Sequence, residues 1–138
     1  MKSDLFRFPL RIALATLALM LVLAAQAAPP AAAPASRSTA ATEIEGLIAA
    51  LGKSGCSFQR NGSWHDAAAA RDHLRRKYEW MRDHGKVTSA EQFIRDGASQ
   101  SSMTGRAYQV RCPGQPDRTS AAWLTAQLQA QRQAATRP

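Results

Sequence analysis

Two cysteines, Cys56 and Cys112, are the only cysteines of the chain, and each sits at the end of a short alternating segment. Cys56-Ser-Phe-Gln-Arg60 alternates small or apolar with polar, and Ala107 to Cys112 does the same with Tyr108, Val110 and Cys112 on one face. Alternation of period two is the mark of a strand with one buried side. Two cysteines cannot complete a four-ligand zinc site without histidines at matching spacing, and that spacing is absent. Whether they bond to each other depends on the compartment.

The N-terminus decides the compartment. Lys2, Arg7 and Arg11 precede an uninterrupted apolar run from Ile12 to Ala25, and Ala25-Gln26-Ala27 supplies small residues around a cleavage point. This is the pattern of a Sec-type signal peptide, residues 1–27. A membrane-spanning helix needs roughly 17 to 25 apolar residues, so the run is too short to span. The expected location is therefore periplasmic or secreted, after cleavage near Ala27, with no stable membrane insertion. Oxidising conditions favour a Cys56–Cys112 disulfide. It closes a loop of about 57 residues, which stabilises by about 4 kcal/mol in the chain-entropy view.

Cleavage also changes the charge. The whole chain carries 18 basic and 10 acidic residues, a net +8; residues 1–27 hold three of the former and one of the latter, so +6 remains. Residues 28–41 are Ala, Pro, Ser and Thr with one charge, Arg37. They read as a disordered linker. One α+β domain is expected over 42–133, with a flexible tail at 134–138. At this size a disulfide staple is a common supplement to a small core.

Within the domain, Ile44, Leu47, Ile48 and Leu51 recur at helical spacing behind a Thr42 cap. Asn61-Gly62 marks a turn. Asp66 caps a helix predicted to run to His84, with Gly85 as its left-handed stop and Ala67, Ala70, Leu74, Tyr78 and Met81 as its buried stripe. Asp72–Arg76 and Arg75–Glu79 are spaced for i,i+4 pairing. Ser89-Ala-Glu-Gln92 is a capping box opening a short helix through Phe93 and Ile94. Thr119 or Ser120 caps a last helix whose apolar positions are Trp123, Leu124 and Leu128. The expected fold is about four helices around a two-stranded antiparallel ribbon stapled by one disulfide.

If Cys56 opposes Cys112 in an antiparallel pair, Phe58 faces Val110 and Arg60 faces Tyr108, with the cation free to lie on the ring. This register carries Asn61-Gly62-Ser63-Trp64 towards Gly105-Arg106. The meeting loops offer Arg60, Asn61, Ser63, Trp64, Ser101, Ser102, Thr104, Gly105, Arg106 and Tyr108. Donors, guanidinium groups and aromatic rings in one place suit a small anion, a glycan or a peptide. The same residues also serve plain turn chemistry, with Trp64 in the core, so both readings stand at this point.

Other chemistries find less support. His65, His73 and His84 contain no i,i+4 pair, and the stripe His73, Lys77, Trp80, His84 includes a cation, so no metal is expected. Ser101 or Ser102 with His65 or His73 as base and Asp66 or Asp72 as orienter lacks any nucleophile-elbow or Ser-x-x-Lys pattern. Arg75-Arg76-Lys77 is interleaved with Asp72 and Glu79, a solvated helix face rather than a nucleic-acid site; anionic envelope polymers are the expected electrostatic partners. No cofactor is implied.

Gly55-Cys56-x-Phe58-x-Arg60-Asn61-Gly62-x-Trp64, then Ala70-x-x-His73-Leu74-Arg75-x-Lys77-Tyr78, then Phe93-Ile94, then Ser101-Ser102-x-x-Gly105-x-x-Tyr108-x-Val110-x-Cys112 together resemble the YfeK-like family of small exported bacterial proteins of unknown function. The resemblance covers about 43–128. It implies a periplasmic location and no catalytic assignment; Thr104 stands where that family often has Ser. Separately, Thr104-Gly105-Arg106-Ala107-Tyr108 is similar to the Ser-Gly-x-x-Tyr loop of periplasmic lysozyme inhibitors, which are β-rich folds. That similarity implies a loop that enters a glycan-hydrolase cleft with Arg106 near its carboxylates. Read from sequence, the chain is an envelope binding or interaction module rather than an enzyme. Lysozyme-type inhibition through Thr104–Tyr108 is the alternative, and a small Ser/His hydrolase the least supported reading.

Overall fold

A computed structural model describes residues 34–137. The proposed signal peptide and residues 28–33 lie outside the described residues. The chain runs α1 (Pro34–Lys53), β1 (Ser57–Arg60), β2 (Ser63–His65), α2 (Ala67–Asp83), α3 (Ala90–Gln92) continued by a π-helical turn over Phe93–Ala98, β3 (Gln109–Arg111), β4 (Arg118–Thr119) and α4 (Ser120–Ala135). The class is α+β, with one antiparallel sheet in the order β2-β1-β3-β4.

Four strands replace the expected two. Asn61 (φ 52°) and Gly62 (φ 89°) form a two-residue turn with positive φ at both positions, which matches the twist of a tight hairpin. Arg60 therefore pairs with Ser63, Gln59 with Trp64 and Phe58 with His65. At the other edge Arg118–Thr119 folds back on Gln109–Val110. A two-residue strand has no period to read, which is why β4 is silent in sequence. The central pairing keeps the expected register, with Phe58 opposite Val110 and Ser57 opposite Arg111. Cys56 and Cys112 are disulfide-bonded just beyond it.

The helices pack on one face of this sheet. Ile44, Leu47, Ile48 and Leu51 of α1 are buried, with Leu74, Tyr78 and Met81 of α2 and Trp123, Leu124 and Leu128 of α4. Phe58 meets Trp123 edge to face at 5.8 Å, and Tyr78 meets Phe93 in the same way at 5.6 Å. Three caps fall where the sequence places them, whereas Thr42, expected to cap the first helix, lies inside α1, which starts at Pro34. Asp66 accepts from the Ala69 amide, Ser89 from Gln92 and Thr119 from Ala122. The Gln92 side chain reaches back to the amide and hydroxyl of Thr88, one residue before the expected cap.

Four boundaries and pairings differ from expectation. Residues 34–41, read as linker, belong to α1, where Ala40 is already buried; alanine-rich sequence is helix-prone once one face has a core to meet. Helix α4 extends two residues past 133 into the segment read as tail. The expected i,i+4 pairs are not made: Arg71 takes Asp72, and Arg75 reaches Glu45 on α1. A second inter-element clamp joins Arg132 of α4 to Glu43 of α1 and to Glu91 of α3. Burial of opposing apolar stripes brings these charges together, so tertiary partners win over local ones.

The staple gives the first prediction. Replacing both cysteines by alanine lowers unfolding free energy by about 4 kcal/mol, from the length of the closed loop. Urea unfolding of the paired and replaced proteins measures it; a difference under about 1 kcal/mol contradicts the role assigned to the bond.

Candidate functional site

Arg60, the last residue of β1, lies on the helix-facing side of the sheet, because it alternates with Gln59 and is in register with Ser63. Helix α2 crosses that side and presents His73 and Lys77, one turn apart. Tyr108 enters from the start of β3. Its backbone is pinned on both sides, donating to Ser99 O and accepting from the Ser120 amide.

These side chains form one connected cluster. The Arg60 guanidinium lies 2.8 Å from His73 Nδ1, and His73 Nε2 lies 3.3 Å from the Tyr108 hydroxyl. A guanidinium can only donate, so Nδ1 accepts and the ring proton sits on Nε2, directed to the phenol oxygen. The phenol keeps its own proton for an outside acceptor. The Lys77 ammonium donates to Gln100 O at 3.3 Å and stands 5.3 Å from the Tyr108 ring centroid. The cation on this ring is thus Lys77, and Arg60, expected there, turns to His73 instead.

The electrostatics are one-sided. Burial, then the positive fields of Arg60, Lys77, Arg76 and His65, lower the His73 pKa from 6.5 to about 4. Burial and Arg60 lower that of Lys77. Burial raises that of Tyr108, with Arg60 opposing. At neutral pH the imidazole is uncharged and the phenol protonated. Among the described residues, the ion pairs engage other arginines, and none involves Arg60, Arg76 or Lys77.

The cluster lines a cleft bordered by six of the ten residues singled out from sequence: Arg60, Asn61, Ser63, Ser101, Ser102 and Tyr108. The two loops do meet, since the Thr104 hydroxyl donates to Asn61 Oδ1 at 2.7 Å. Their contributions differ. Ser101 is buried, and its oxygen faces the amides of Met103 and Thr104 at 3.4 Å, a turn role. Ser102 is exposed at the rim. Gly105 supplies a positive φ of 70° at the loop tip, and Arg106 lies exposed near Gly62. Trp64 is on the opposite face of the sheet, where Arg111 stacks on its ring at 4.1 Å while pairing with Asp117. It shares that face with Gln59 and does not border the cleft.

His73 and Lys77 are the members that reading by loops missed. Their stripe was legible on α2; its position beside the ribbon was not. Both ring nitrogens of His73 are engaged, and an imidazole with a pKa about 4 is a weak general base. Neither Ser101 nor Ser102 gains a base from it. Among the described residues, His, Cys, Asp and Glu side chains nowhere gather three to a metal-sized site, and no helix is long and apolar enough to cross a membrane.

Residues 38–132 match a family of unknown function, DUF5329, and the chain belongs to that family. Over 66 residues it is 41 % identical to the uncharacterized protein YfeK of Salmonella typhimurium, covering 47 % of this chain and 53 % of that protein. The chain thus spans about half the length of this relative. The resemblance drawn from sequence motifs is to this group. No solved structure matches.

A depressed imidazole pKa has a definite sign in stability. The unfolded chain binds a proton at His73 near pH 6.5 and the folded chain only near 4, so stability is lost as pH falls through that window and is unaffected above it. His73→Gln keeps an acceptor for Arg60 and a donor for Tyr108 without titrating. Chemical denaturation between pH 7 and 4 should show wild type falling relative to the variant; parallel curves contradict the assignment.

Proposed function

We propose that this protein is an exported binding module of the cell envelope whose ligand carries an anionic group seated between Arg60, Lys77 and the Tyr108 hydroxyl. The signal-peptide pattern at 1–27 and the Cys56–Cys112 bond support the location. The observation that carries the ligand class is the unpaired positive charge: two half-buried cations, a neutral imidazole and a free phenol proton share one cleft with no carboxylate among its lining residues. Like charges brought together out of water raise one another's free energy, and an anion entering the cleft relieves both. A carboxylate, phosphate or sulfate group would accept from the guanidinium, the ammonium and the phenol at once.

The test uses inorganic phosphate, titrated into the mature protein and followed by NMR. Saturable binding should shift signals from Arg60, His73 and Tyr108. Lys77→Met, which keeps the aliphatic stem over the ring, should weaken it at least about tenfold, a loss of about 1.4 kcal/mol. Unchanged affinity in Lys77→Met and in Arg60→Gln, with both variants folded, overturns the reading.

A second reading rests on the loop tip. Residues 102–107 are exposed, and Arg106 has no ion-pair partner among the described residues, as a probe for a hydrolase cleft requires. Tyr108, by contrast, is buried behind the tip. Under this reading micromolar protein slows lysozyme turnover and Arg106→Ala relieves it. Full turnover at micromolar excess removes it.

A further inference from the structure

The anion cleft does not end at Tyr108. His73, Lys77 and Ser102 border it on one side and also border a second, adjoining groove that continues along α2 to Trp80, Met81 and Lys86. The two grooves adjoin along the stripe His73, Lys77, Trp80, a basic channel in two parts that share His73, Lys77 and Ser102. Seven helical positions separate His73 from Trp80, about 10 Å at 1.5 Å per residue. An inorganic anion is too small to touch both ends.

Trp80 is an unusual residue to leave in water, being 51 % exposed. It is nevertheless held. The His84 ring stacks on it at 4.4 Å while His84 Nδ1 lies 2.7 Å from Trp80 O, and the Lys86 ammonium stands 5.0 Å from its centroid. The other exposed large apolar side chain among the described residues, Met103, borders the adjoining anion cleft. The two large apolar exposures therefore fall one on each of the two adjoining basic grooves. The acid that lines the groove beside Trp80, Asp96, is already paired with Arg95. Ser102 and the Tyr108 phenol add hydroxyls, and Asn61 and Gln92 add amides, donors and acceptors suited to a polyhydroxylated partner.

We propose that the channel binds an extended acidic saccharide, with its acid group at Arg60 and Lys77 and a sugar ring packed against Trp80. The proposal rests on the anion-binding reading and extends it to a ligand class. His84 stacks on the indole and the Lys86 ammonium stands over its ring, so a pyranose ring would pack its C–H face against the indole surface these leave open, while Lys77, Arg76 and Lys86 supply positive charge along the same helix side for a chain of acid groups. An acidic peptide would use the same cations but gains little from a fixed, water-exposed indole.

The experiment compares galacturonic acid with its linear oligomers of two to five units by calorimetry, with inorganic phosphate and a glutamate oligopeptide of equal charge as controls. The tetramer should bind at least about tenfold tighter than the monomer, and Trp80→Ala, a surface change, should remove that gain while leaving phosphate affinity unchanged. No gain with chain length, an unchanged gain in Trp80→Ala, or equal affinity for the glutamate peptide overturns the proposal. If phosphate still binds in that event, the anion site stands and only the saccharide assignment falls. If phosphate also fails to bind, the anion-site reading falls with it.

Discussion

The covalent link between Cys56 and Cys112 is the constraint on which the rest of the molecule depends. It joins two segments that are far apart in sequence and fixes which residues of β1 and β3 oppose each other. Slipping the pair by one residue would send Phe58 and Val110 to the solvent face and expose the surface that α2 and α4 cover. The same register brings Arg60 to the end of β1 beside Tyr108, at the edge of the sheet that α2 crosses. The apolar core and the polar cleft are two consequences of a single pairing.

The cleft is held by charges that are satisfied without being neutralised. Elsewhere in the fold, several arginines find carboxylates. Arg75 finds Glu45, Arg111 finds Asp117, and Arg132 is shared between Glu43 and Glu91. Arg60 instead donates to an imidazole and Lys77 to a backbone carbonyl. Those bonds meet the need for hydrogen-bond partners while leaving the positive potential intact. His73 is the element that makes this possible, because it accepts from one cation while remaining neutral. A domain with a surplus of basic residues could have scattered them on solvated faces; here three unpaired ones, Arg60, Arg76 and Lys77, gather beside one histidine.

Much of the architecture was legible in the chain. Helical spacing marked the buried stripes of α1, α2 and α4, and Asp66, Ser89 and Thr119 announced their helix starts, because caps and periodicity are local properties. Asn61-Gly62 announced a turn, yet the strand after it, Ser63–His65, was too short to show alternation on its own. The face that Trp64 takes, opposite Arg60, follows only from the hairpin register. The cleft was half legible. The meeting of the two loops followed from the disulfide, whereas the arrival of His73 and Lys77 depended on how α2 packs across the sheet, a tertiary fact with no local signal. Membership of a family of unknown function adds the fold's kinship and leaves the chemistry to be read from these residues.

His73 is a neutral acceptor, held so by burial and by a positive field that an anion can cancel. Its imidazole titration, followed by NMR with and without saturating phosphate, tests this most directly. Without phosphate the ring should titrate at about 4. With phosphate bound, burial still holds the imidazole down, but the positive field is offset and the imidazolium gains a negative neighbour, so the pKa should rise above its value in the free protein. A ring that titrates near 6.5 in the free protein, and at the same value with phosphate, contradicts the account.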